Sequence, residues 1–289
     1  MGPGAKRGRP RGRFDAHLHL SRYWPDLASN SYGPEVEFTV PGLLSELDRQ
    51  GIDHGLLLQL NDAPTVEVTL EEGARLKSES RGRLLRTSTV DPTKPGDPLG
   101  DAIGLWRTVP DLVGLKLYPG YQHFYPSERR LDRLYEFAAE RHLVVLFHQG
   151  DTLDPLGLIK YARPIEVDEV AVRFRDVPFV LCHMGNPWID EAAELVYKNP
   201  NVYADTSGLL FPSRLPHFDR LVKRAGKLLE GAVATTGSVS RFLYGSDWPL
   251  ESIEVAVRLI ERLDLPPRDR EAILGGNARR LFGVDRATE

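Results

Sequence analysis

Eight short apolar runs, rich in β-branched and aromatic residues, recur along the chain: residues 13–20, 53–60, 83–90, 112–118, 143–148, 178–183, 201–206 and 241–247. Between them, GLLSELDRQG, TLEEGARLKSES, RRLDRLYEFAAER, EVDEVAVRFRD and WIDEAAELVYKN space their apolar residues by three and four. That spacing collects them on one helical stripe. Several of these stretches are followed by Gly, Asn or Pro, which end helices. The alternation of strand and helix predicts parallel pairing, because parallel neighbours need a long crossover. Near-continuous apolar strands imply a sheet covered on its outer face. Eight such units in 289 residues suit a closed (β/α)8 TIM barrel better than an open sheet. The expected layout is a basic arm over residues 1–12 and one barrel domain over residues 13–289, in which the tail DREAILGGNARRLFG adds one helix after the eighth unit.

Composition narrows the partners. The chain is 41% hydrophobic and 27% charged with a net charge of −4, so no global field attracts nucleic acid or an anionic membrane. The local exception, KRGRPRGR, combines charge with Gly and Pro and lacks apolar residues, which predicts a disordered terminus. It has no apolar core of a secretory signal. No run approaches the ~18 apolar residues that span a membrane. The single cysteine, Cys182, excludes an internal disulfide and fits a reducing cytoplasm.

The chemistry concentrates at one barrel rim. FDAHLHL, residues 14–20, places His17 and His19 two apart in an apolar run, so on a strand they leave the same face, with Asp15 one step below. Lys116 falls near the end of the fourth strand, His148 at the end of the fifth, His183 of the sixth and Asp247 of the eighth. These are the strand ends at which barrels build active sites. The other histidines lie elsewhere: His54 and His142 at the opposite strand ends, His217 on a helix, and His123 in the loop after the fourth strand. Strict alternation groups Val144, Leu146 and His148 on one face, then Phe179, Leu181 and His183, then Leu243, Gly245 and Asp247. Cys182 is thereby expected to face outward, among the helices, and Gly114 to leave room for the Lys116 stem. Imidazole nitrogen and carboxylate oxygen are the usual donors to a catalytic zinc. A divalent ion with an open position acidifies water, and a neighbouring histidine or aspartate can then move protons. YPGYQHFYP, residues 118–126, is the densest aromatic stretch and reads either as a substrate wall or as a packed surface loop. WPDLASNSYG, residues 24–33, follows the histidine pair and is a second candidate lid.

The first-strand H-x-H, the histidines closing strands five and six, and GSDWP at strand eight resemble the amidohydrolase superfamily. GLKLYPGYQHF, VLFHQG, LCHMGNPW and GGNARRLFG are similar more narrowly to its amidohydrolase-2 branch, which includes aromatic-acid decarboxylases and metal-dependent hydrolases. The resemblance covers residues 13–283. It implies that His17, His19 and His148 are metal ligands, that Asp247 is a ligand or a base beside it, and that His183 is the catalytic acid–base. In binuclear members a strand-four lysine is carboxylated and bridges two metals. GLKLYP is closer to the mononuclear branch, which implies an unmodified Lys116 that binds a substrate carboxylate. Tyr118 and Gln122 are the expected substrate contacts from the aromatic stretch. Asp15 is expected to orient the histidine pair, and Asp205 to do the same or to act as a buried cap.

These readings lead to one divalent metal per chain, zinc first, with Mn²⁺, Fe²⁺ and Co²⁺ also suited to such donors. The expected activity is hydrolysis of an amide, ester or lactone of a small acid. Its alternatives are non-oxidative decarboxylation of an aromatic or unsaturated acid, and a barrel that kept its fold without chemistry. The expected partner is a small-molecule substrate, with no nucleic acid or membrane, and a homodimer is the commonest soluble assembly. The division of labour is testable. His148→Asn is expected to lose most bound metal, whereas His183→Asn keeps it and loses about 10²- to 10⁴-fold in kcat. Metal content with circular dichroism decides, and a metal-depleted His183→Asn would overturn the assignment.

Overall fold

The computed structural model describes residues 12–21, 31–33, 35–61, 69–210 and 218–284. β1 (Arg13–Leu18) leads through α1 (Val40–Arg49) to β2 (Ile52–Leu57), and α2 (Leu70–Glu79) leads to β3 (Leu84–Thr89). α3 (Pro98–Trp106), β4 (Leu112–Leu117), α4 (Asp132–Arg141) and β5 (Val144–Phe147) follow. Then come α5 (Asp168–Arg173), β6 (Phe179–Leu181), α6 (Ile189–Lys198), β7 (Val202–Asp205), α7 (Phe218–Thr236), β8 (Phe242–Leu243) and α8 (Ile253–Glu261). The strands lie in sequence order and pair in parallel throughout, as the alternation predicts.

Local chemistry sets where helices begin. The Thr39 side chain accepts the Gly42 N–H at the start of α1, Thr69 accepts from Glu72 at α2, and Asp97 accepts from Gly100 at α3. Each cap satisfies an amide that has no partner within its helix. The core has two parts. Leu47, Phe147, Phe179, Leu181 and their neighbours pack between strands and helices. A smaller cluster of Phe14, Ala16, Leu56, Leu58, Val144, Leu146, Val180, Cys182 and Leu243 fills the barrel interior.

The seam between the last strand and the first is made differently from the others. β8 has only two residues. Closure passes to main-chain bonds that run beyond it: Ala16 N–H to Tyr244 O at 2.9 Å, Asp247 N–H to His17 O at 2.9 Å and His19 N–H to Trp248 O at 2.7 Å.

Two expectations are corrected. Cys182 faces the barrel interior with Val180, while Phe179 and Leu181 face the helices. β6 stops at Leu181, and His183 and Met184 take positive φ of 58° and 47°. That turn, rather than strand alternation, carries His183 back over the rim. The tail is also not one regular helix. It runs as α9 (Pro267–Glu271), a π-helical turn (Ala272–Gly276) and α10 (Asn277–Leu281). The wide turn lays Gly275 directly on the start of β1, where a Cβ would overlap the Gly12 carbonyl oxygen and lie 2.5 Å from Arg13 Cα. Phe282 then stacks on Phe14, ring centroids 5.6 Å apart, below the barrel floor.

The basic arm to residue 11, most of the 24–33 stretch and His217 lie outside the described residues. No described helix is long and apolar enough to cross a membrane. The helix-to-floor contact gives a stability test. Gly275→Ala is expected to cost about 1–3 kcal/mol by overpacking. Thermal unfolding should show it as a fall of several degrees in Tm, and an unchanged Tm would refute the close approach.

Candidate metal centre

The histidine pair owes its placement to an irregularity in β1. Asp15 sits opposite Gly55 and Leu18 opposite Leu57, so three steps on β1 match two on β2. The extra residue is a β-bulge, which re-aims side chains. Ala16 packs inside the barrel, and His17 beside it also reaches the cavity above. Asp15 does not follow the imidazoles. Its Oδ1 accepts the main-chain N–H groups of His17 at 3.1 Å and Ser246 at 3.0 Å, and burial pushes its carboxyl up to about 7. The carboxylate that orients His17 is Asp205, whose Oδ2 lies 2.9 Å from His17 Nδ1. The expected role of Asp15 therefore passes to Asp205, because the bulge breaks the alternation that put Asp15 beneath the pair.

Hydrogen bonding fixes the tautomers. An ionised carboxylate only accepts, so His17 donates from Nδ1 to Asp205 and keeps its lone pair on Nε2. His19 Nδ1 lies 3.0 Å from the Leu58 carbonyl oxygen, which likewise leaves the Nε2 lone pair free. Both Nε2 atoms are 3.3 Å from Asp247 Oδ1. His17 Nε2 and Asp247 Oδ1 are buried without a hydrogen-bond partner. Burial pushes His17 down to about 3, against the pull of Asp205 and Asp247, so its imidazole favours the neutral form. Burial also opposes ionisation of Asp247, but His17, His19 and His183 outweigh it and hold its carboxyl well below the usual range. Three possible donor atoms thus converge in a buried place, within 4.8 Å of one another. A divalent cation satisfies all three, and nitrogen–oxygen donors of this kind suit zinc and its neighbours.

His148 lines the same cavity but does not join this trio. Its Nε2 lies 2.8 Å from the Asp151 carbonyl oxygen, so Nε2 carries the proton and Nδ1 the lone pair. Its ring meets that of His183 edge-on at 4.9 Å. His183 itself is held by Ser207. The Ser207 hydroxyl donates to Asp205 Oδ1 and accepts from His183 Nδ1 at 2.9 Å, while Asp205 Oδ1 takes the His183 main-chain N–H at 3.0 Å. His183 Nε2 remains for the cavity, and burial lowers the affinity of the ring for a second proton. Gly208, with φ of +66°, lies where a Cβ would come 2.5 Å from His183 Nδ1.

Lys116 is fully buried at the cavity floor, with Nζ 2.8 Å from Cys182 Sγ and 5.2 Å from the centre of the Tyr118 ring. Burial pushes the Cys182 thiol well up, so it stays neutral, and the anion that balances the lysine is the buried Asp205 carboxylate. Tyr118 lines the cavity, its ring stacked on His148 and its hydroxyl donating to the Gln59 carbonyl at 2.6 Å. Gln122 does not line it. The turn closed by the Gln122 N–H on the Tyr118 carbonyl at 2.9 Å presents Tyr121 instead. The motifs therefore bring His17, His19, Asp247, His148, His183, Lys116 and Tyr118 to one cavity. They do not reveal Ser207, Tyr121, Gln149 or Asn186. The one signal for Ser207 is a small polar residue two past Asp205 at the β7 rim.

A family model described as Amidohydrolase matches residues 14–284. No curated protein matches the chain. Among solved structures, an uncharacterized TIM-barrel protein from Bordetella bronchiseptica is similar with a TM-score of 0.71 at 20% identity, covering 94% of this chain and 98% of that one. A probable 2-pyrone-4,6-dicarboxylic acid hydrolase from Acinetobacter baumannii has a TM-score of 0.63 at 19% identity, covering 94% and 99%. A dihydroxybenzoic acid decarboxylase from a Polaromonas species, with bound manganese, has a TM-score of 0.66 at 16% identity, covering 96% and 98%. At these identities the likeness shows the barrel fold. The hydrogen bond from His17 to Asp205 supplies a test. Groups that orient a ligand histidine are worth about 10- to 100-fold in metal affinity. Asp205→Asn is expected to weaken zinc binding by that factor in a chelator competition, and an unchanged affinity would show that His17 needs no such partner.

Proposed function

The chain belongs to the amidohydrolase family, and from that premise we propose that it is a metal-dependent hydrolase acting on an amide, ester or lactone of a small planar acid. The observation that carries this reading is the convergence of His17 Nε2 and His19 Nε2 on Asp247 Oδ1, each at 3.3 Å in a buried place. One divalent ion, zinc by preference, would be held there, with His148 Nδ1 the further donor on the same cavity. When bound it supplies Lewis-acid polarisation and acidified water.

The remaining work falls to side chains. Asp247 stays anionic and accepts a proton from water. His183, whose Nδ1 is fixed on Ser207, takes up at Nε2 the proton that Asp247 accepts from water and passes it to the departing oxygen or nitrogen. The buried Lys116 ammonium binds the substrate carboxylate, and the Tyr118 and Tyr121 rings, set edge to face at 76°, border the cavity beside it.

A second reading is decarboxylation, supported by the activity named for the Polaromonas structure. Here the carbon–carboxylate bond breaks, CO₂ leaves, and His183 or Asp247 returns a proton to the vacated carbon. Metal-loaded protein incubated with lactones, esters and aromatic acids separates the two. New carboxylate without CO₂ is expected, CO₂ equal to substrate consumed would install the second reading, and no turnover of either by metal-loaded protein would overturn both. Lys116→Met is expected to raise KM for acids by about 10- to 100-fold, the worth of a charge-assisted bond, and to change kcat less. An unchanged KM would remove Lys116 from substrate binding.

A further inference from the structure

Gln149 follows His148 at the β5 rim and is fully buried. Both its Oε1 and its Nε2 lack a hydrogen-bond partner, and so does Asn186 Oδ1 on the turn after β6. All three belong to residues that line the cavity of the metal centre. Buried amide groups are nearly always paired, because leaving one bare forfeits its bonds to water. Two neighbouring exceptions at one cavity wall point to a partner that arrives with the ligand.

The two loops are fixed against each other. Gly150, with φ of +89°, brings its backbone so close to Asn186 that a Cβ would overlap the Asn186 carbonyl oxygen. Asp151 N–H donates to that same oxygen at 2.9 Å. The amides therefore stand on a rigid wall, where hydrogen bonds discriminate best.

Charge decides what they select. Among the described residues lining the cavity, Lys116 is the only lysine or arginine, against Asp151, Asp154 and Asp247. One substrate carboxylate is matched by Lys116. A second would have no cation, could accept only from Gln149 Nε2, and would leave the carbonyl oxygens of Gln149 and Asn186 without a donor. A group with its own proton fits instead, accepting from Gln149 Nε2 while donating to a carbonyl oxygen. We propose that Gln149 and Asn186 are the specificity element of this site, selecting an acid whose other polar group is a neutral hydroxyl or amide N–H and rejecting a second carboxylate. This rests on the reading of the site as one for small planar acids.

Binding to zinc-loaded protein tests it, with benzoate, the hydroxybenzoates, the carbamoylbenzoates and the benzenedicarboxylates compared at each ring position by calorimetry. At the favoured position the hydroxyl or carbamoyl acid is expected to bind at least about tenfold more tightly than its dicarboxylate partner, the order of one hydrogen bond gained or left unmade. Gln149→Met, close in volume, and Asn186→Ala should each cut that preference several-fold, a larger change than either makes to benzoate affinity. Equal or tighter binding of the dicarboxylates to the unaltered protein overturns the proposal without any variant, as does a preference that survives Gln149→Met. If benzoate and all its derivatives fail to bind, the small-acid reading falls and this inference with it. If benzoate binds without discrimination, only the amide pair is refuted.

Discussion

The rim of the barrel depends on one buried carboxylate. Asp205 ends β7 and accepts from His17 Nδ1, from the His183 and Ser207 main-chain N–H groups, and from the Ser207 hydroxyl. Burial alone would keep it protonated, yet His17, His183 and Lys116 around it hold its carboxyl far below the usual range. Its charge therefore persists at any working pH. That charge sets the tautomer of His17 directly and, through Ser207, that of His183. Strands β1, β6 and β7 are thus tied at one point, and the atoms left facing the cavity follow from that tie.

Regular geometry supplies the scaffold, and departures from it supply the site. Five described non-glycine residues have positive φ: Arg81, His142, His183, Met184 and Asp247. His142 only caps the end of α4, but His183 and Asp247 line the cavity of the candidate metal centre, with Met184 next to His183 in the same turn. Such conformations cost about 1–3 kcal/mol each and persist where packing enforces them. The β1 bulge belongs to the same group. Without it His17 would exchange its place with Ala16 or Asp15.

This explains what could be read from the chain. Period-two and period-three-four patterns belong to elements that repeat, so all eight strands were legible, as was the rim on which the histidines gather. Alternation failed where a strand slips or stops. The bulge transferred the orienting role from Asp15 to Asp205, and the turn after Leu181 sent Cys182 inward beside Lys116. Gln122 was expected from the aromatic loop as a substrate contact, but the turn closed on Tyr118 presents Tyr121 to the cavity instead. Ser207, Gln149 and Asn186 carry no periodic signature. Their meaning comes from neighbours distant in sequence.

The seam between β8 and β1 has a consequence for how the protein keeps its metal. The bond from Asp247 N–H to His17 O joins, through the backbone, the two residues whose side chains face the cation. Drawing Asp247 and His17 together around an ion therefore also clasps the barrel's weakest edge. Opening that edge pulls the donors apart. An ion held by both residues would couple to the seam, and its occupancy would lend cohesion to the cylinder in proportion to the logarithm of free metal.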